Sequence, residues 1–174
     1  MIDIEPLPTD VEGPISLRRI SRSGFPSHEL IAARRTIARL GRDGSFRMFF
    51  GRGRRVQLAD GTEWRIKATT AGPYIVPIIK ARTGIVATSG PLGGRRCYGI
   101  NGKHFGFVLV PLGPIRLLGR IGWLIRRHED EVATIDAAHV IHTNEPIPIA
   151  AALMAFALID HGIPGEAKLR PTPQ

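Results

Sequence analysis

Residues 146–159 form a run of 14 uncharged residues, Pro-Ile-Pro-Ile-Ala-Ala-Ala-Leu-Met-Ala-Phe-Ala-Leu-Ile, bounded by Glu145 and Asp160. The run falls short of the roughly 18 to 20 apolar residues needed to span a bilayer. At 3.6 residues per turn it is apolar on every side, which does not suit a helix lying on a surface. A helix over 147–160 must therefore be buried on all of its faces. Pro148 fits its first turn, Glu145 its positive end and Gly162 the position after its end. Alanines 150–152, 155 and 157 keep it slim. The remainder of the chain has to enclose it.

Enclosure by short strands fits the rest of the composition. Twenty glycines and 14 prolines are spread without a period through a chain that is 43% hydrophobic. Many turns in 174 residues favour many short strands. The run Val56-Gln57-Leu58-Ala59-Asp60-Gly61-Thr62-Glu63-Trp64 reads as a hairpin. A three-residue loop over 59–61, with Gly61 in the left-handed region, pairs Val56 with Trp64 and so keeps apolar residues on one face. Asn101-Gly102 is a second hairpin signal, read as a type I′ loop that sets Tyr98 opposite Phe105. Further strands are expected over 45–50, 74–80, 84–89, 105–110, 119–126, 131–136 and 138–142. One segment reads differently. Leu30, Ile31, Ala33, Ile37, Ala38 and Leu40 recur near i, i+3, i+4 after Pro26-Ser27 and before Gly41, so an amphipathic helix is predicted within 26–44. The expected organisation is an N-terminal arm over 1–25, with at most an edge strand from Ile15 to Ile20, then that helix, a β-barrel over 45–163 with its central helix, and a tail over 164–174. The fold class is mainly β (α+β): a closed antiparallel barrel around a C-terminal hydrophobic helix, with one amphipathic N-terminal helix outside it.

Short strands closing on a slim apolar helix, carried here by Val56 to Thr62, by Cys97-Tyr98-Gly99-Ile100-Asn101-Gly102 and by Pro146 to Asp160, resemble the tubby-like β-barrel superfamily. Within it the pattern, over residues 45–160, is most similar to the LURP-one-related and phospholipid-scramblase-like branch. The resemblance implies an antiparallel barrel of about twelve strands wrapped around a central helix. It also implies lipid or protein binding rather than catalysis. Tubby proteins bind phosphoinositide headgroups through basic residues, but those positions do not map residue by residue onto this chain.

The net charge of +9 is unevenly placed. Residues 16–55 carry 11 arginines against Glu29 and Asp43, whereas residues 128–174 carry seven acids against Lys168 and Arg170. Such asymmetry marks either an anionic partner or a solvated face that balances the acidic end of the chain. Patterns for enzymatic chemistry are not met. A P-loop would need glycine where Cys97 stands and a hydroxyl where His104 stands. Gly51-Arg52-Gly53 lacks the third glycine of a dinucleotide loop. Ala87-Thr88-Ser89-Gly90 lacks the leading glycine of a nucleophile elbow. His139 and His142 point to opposite sides of a strand, and His128 with Glu129 and Asp130 reads as a solvated turn, so no metal site is expected. The single cysteine, Cys97, and the acidic Met1 to Gly13 start without a signal-peptide pattern fit a reducing cytoplasm. No catalytic residue and no cofactor are expected. What remains is an arginine–glycine set, Arg47, Arg52, Arg54 and Arg55, with Arg95 and Arg96 in a second loop. If both loops lie at one barrel end, Arg52, Arg54, Arg55, Arg95 and Arg96 form an anion-binding rim. The partner expected there is an anionic phospholipid or an acidic protein at the inner face of a membrane, with nucleic acid as the alternative.

Overall fold

The computed structural model describes residues 10–22, 25–41, 54–72, 74–92, 97–113 and 122–160. The strands are β1 (Asp10–Val11), β2 (Ile15–Arg22), β3 (Phe25–Ala32), β4 (Arg35–Leu40), β5 (Arg54–Leu58), β6 (Glu63–Ala71) and β7 (Tyr74–Ala81). They continue with β8 (Gly84–Leu92), β9 (Cys97–Gly102), β10 (Gly106–Pro111), β11 (Trp123–Arg127), β12 (Asp130–Ile135), β13 (Ile141–Thr143) and β14 (Ile147–Pro148), before helix α1 (Ile149–Asp160). Strands β2 to β13 close into one barrel in which every neighbouring pair is antiparallel. The ring closes where β13 meets β2 at Ile141 opposite Ile15.

Alternation along the strands explains what the barrel contains. Val56 and Leu58 of β5 are buried while Arg55 and Gln57, which alternate with them, are exposed, and Ala38 and Leu40 of β4 flank an exposed Arg39 in the same way. Helix α1 lies among the buried rows. Residues 149–159 are all at or below 9% exposure, round the full circumference of the helix. They belong to the same apolar cluster as Ile79, Ile100, Leu109 and Ile125 from the barrel wall. The helix fills the bore. Its 12 residues run about 18 Å at 1.5 Å per residue. Among the described residues no helix is long and apolar enough to cross a membrane.

The helix begins later than the sequence predicts. Ile147–Pro148 is extended and pairs with β1, Val11 opposite Ile147, so Pro148 precedes the helix instead of opening it. A residue before proline is held out of the α region, and the pairing with β1 uses that preference.

The expected helix within 26–44 is corrected: Phe25–Ala32 and Arg35–Leu40 are two strands of a hairpin, and residues 42–44 lie outside the described ones. The turn residues Ala33 and Arg34 both have positive φ, 47° and 67°, as a two-residue type I′ turn requires. Of the residues that give the helix pattern, Leu30, Ala38 and Leu40 are buried inside the hairpin, with Leu30 directly opposite Ala38, whereas Ala33 is exposed in the turn. Period 2 on either side of a two-residue turn mimics the i, i+3, i+4 pattern here. Strand β2, where the sequence allows an edge strand over 15–20 within the arm, is part of the wall, so the barrel starts at Ile15 and not at residue 45.

The two predicted hairpins fare differently. In β5–β6 the register is Val56 to Trp64, the Leu58 amide donates to the Thr62 carbonyl at 2.8 Å, and Gly61 has φ of 89°. In β9–β10 the loop is Lys103-His104, not Asn101-Gly102. Ile100 pairs with Phe107 and Tyr98 with Leu109, which joins four buried side chains. The predicted register would have set Ile100 against Lys103. Gly102 matters for another reason: a Cβ there would run into the Phe105 ring, which would have to shift.

Candidate anion-binding face

The outward residues of β2 to β8 form rows across the strands, and two of these rows carry the charge. In the first, Arg18 is opposite Glu29 and Glu29 is opposite Arg39. Arg18 Nη2 lies 2.8 Å from Glu29 Oε2 and Arg39 Nε lies 3.5 Å from Oε1, while Thr36 Oγ1 donates to Oε2 at 3.4 Å. The Glu29 side chain is only 10% exposed although it faces outward, whereas Arg18 and Arg39 are 63% and 73% exposed. One carboxylate thus anchors two arginines whose remaining donors face solvent. Arg18, Arg39 and Arg55, with His28, Glu29 and Gln57, line an open cleft of about 750 Å³.

The second row carries three cations. Arg55 is opposite Arg65, Arg65 is opposite Lys80, and Lys80 is opposite Ile85. Neighbouring strands are about 4.8 Å apart, so three like charges stand side by side, an arrangement that destabilises a sheet. Arg55 also pairs with Glu63. Beyond Glu63 no aspartate or glutamate occurs over residues 64–128. The row continues into an acid-free half of the barrel wall.

The predicted rim residues separate. Arg55 is outward and in the cationic row. Arg54 alternates with it, opposite the buried Ile66, and is partly buried on the inward-facing side at the rim. Arg47, Arg52, Arg95 and Arg96 lie outside the described residues. The strand ends that flank the two connections, Leu40 and Arg54 for one and Leu92 and Cys97 for the other, are at one end of the barrel, because consecutive strands alternate in direction. Sequence reading did not pick out Arg18, Arg39, Arg65 or Lys80. A usable signal existed for Arg65: the register that pairs Val56 with Trp64 also pairs Arg55 with Arg65.

Elsewhere the titratable groups form local structure. In the β12–β13 turn Asp136 Oδ1 accepts the amides of Ala138 at 2.9 Å and Val140 at 3.0 Å, and Oδ2 lies 2.9 Å from His142 Nε2. The His142 hydrogen bond, then that from Val140, holds the Asp136 carboxyl below the usual carboxylate range. His142 is thereby engaged with Asp136, and His139 occupies the turn at φ of 61°. Among the described residues no three histidine, cysteine or acidic side chains converge as a metal site would require. Compared with protein-family models, curated proteins and solved structures, the chain matches none of them.

Proposed function

We propose that this chain is a non-enzymatic binding domain of the tubby-like barrel type, related to the LURP-one branch, whose outer basic face takes up anionic phospholipid headgroups at a membrane surface. The observation that carries this reading is the cross-strand row Arg55, Arg65 and Lys80. Three cations on adjacent strands offer a phosphate several donors along one line. Arginine adds bidentate geometry toward phosphate oxygens. Arg18 and Arg39, held by Glu29 on the neighbouring strands, extend the same face. The aromatic beside the row, Trp64, packs against the core and offers no stacking platform for bases, which favours headgroups over single-stranded nucleic acid. The barrel around a filled bore supports the family reading at the level of architecture.

The test is sedimentation with phosphatidylcholine vesicles, with and without phosphatidylserine, beside single-stranded and duplex DNA, each across a salt series. Binding confined to the phosphatidylserine vesicles and weakening as salt rises is the expected result. Absence of binding to those vesicles at low salt overturns the reading, and DNA binding without vesicle binding replaces it with a nucleic-acid partner.

A further inference from the structure

The cationic row does not end in a charge. Its fourth member, opposite Lys80, is Ile85, and Ile85 is 61% exposed. A register shift between β7 and β8 aligns Lys80 with Ile85 and Ile79 with Ala87, leaving Val86 as the extra residue. Val86 packs against the core and Ala87 is buried, so the shift is what puts Ile85 on the outer face in line with the cations. A bulge that re-aims one side chain is a common device at sheet margins. Exposed Arg82 lies in the adjoining turn, and exposed Lys103 and His104 form the β9–β10 turn at the same end of the barrel. No acid occurs in this stretch of chain.

A large exposed aliphatic side chain opposite Lys80 and next to the turn that holds Arg82 has the chemistry of a surface that meets the boundary between headgroups and acyl chains. There the cations stay with phosphates while the apolar group leaves water. We propose that Ile85 is the residue that enters an anionic bilayer, with Arg55, Arg65 and Lys80 held at headgroup level behind it. This rests on the headgroup reading above and adds a depth and an orientation to it: the β7–β8 hairpin tip points into the membrane.

The experiment uses the full chain and phosphatidylserine-containing vesicles. Ile85→Asp should lower vesicle binding about tenfold, a loss comparable to that of one buried aliphatic side chain. Ile85→Leu should restore binding. Leu112→Asp removes an equally exposed leucine at the opposite end of the barrel and should leave binding unchanged. Tryptophan placed by Ile85→Trp should be quenched by lipids brominated high on the acyl chain, beyond the signal of wild-type protein. Wild-type binding with an unaltered Ile85→Asp variant would overturn the insertion while leaving the headgroup reading intact. Failure of the wild-type protein to bind would remove both.

Discussion

Gly61 closes the β5–β6 turn at φ of 89° with open space where a Cβ would project. Its requirement is one of backbone conformation alone. Gly61→Val should destabilise the protein by about 1 kcal/mol or more, read as a lower urea midpoint at unchanged slope. An unchanged midpoint would contradict the left-handed assignment. Asp136 makes the other residue-scale prediction. Its carboxyl is held below its ordinary range by His142 and the turn amides. A depressed folded value stabilises above the unfolded pKa, near 3.9, and that contribution is lost as pH falls through the folded one. Asp136→Asn should therefore unfold more readily than wild type at neutral pH, and the gap should close in acid. A gap that widens on acidification would contradict the pairing. Gly61 was legible in the sequence because a turn of this kind is decided by three adjacent residues. The clasp of Glu29 by Arg18 and Arg39 was not, because it joins three strands.

The elements that could be read from sequence are those whose pattern has one solution. Helix α1 is one: a run apolar on all sides must be buried on all sides, whatever surrounds it. Its alanines fit the bore, and Ala152 is fully buried within it. Ala152→Phe should overpack the interior and lower the unfolding free energy by about 1–3 kcal/mol, measured by denaturant titration. Tolerance of the larger side chain would mean that the bore is not tightly filled. The β3–β4 hairpin shows the opposite case. Ala33-Arg34 takes the positive φ values normally marked by Asn-Gly, so no turn chemistry announces it. Asn101-Gly102 announced a turn that the chain places two residues later, because burying Ile100 with Phe107 outweighs the local preference.

At the scale of the whole molecule, a filled barrel leaves its outer surface as the place to work. The core holds Trp123, Ile141 and Leu153 alike, with the helix occupying the space a ligand would need. A closed, alternating wall was foreseeable from strand spacing and the helix it had to enclose. The basic face was foreseeable only in part. Arg55 stood out beside glycine, but its row with Arg65 and Lys80 exists only once β5, β6 and β7 are in register. Two expectations attach to that row: like charges on adjacent strands weaken the sheet, and, as proposed, the row takes up anions. Lys80→Glu separates them by placing a carboxylate opposite Arg65. Thermal unfolding and phosphatidylserine-vesicle binding of this variant, measured side by side, test the account most directly. A raised unfolding midpoint together with weakened vesicle binding is the predicted result; unchanged vesicle binding would contradict it.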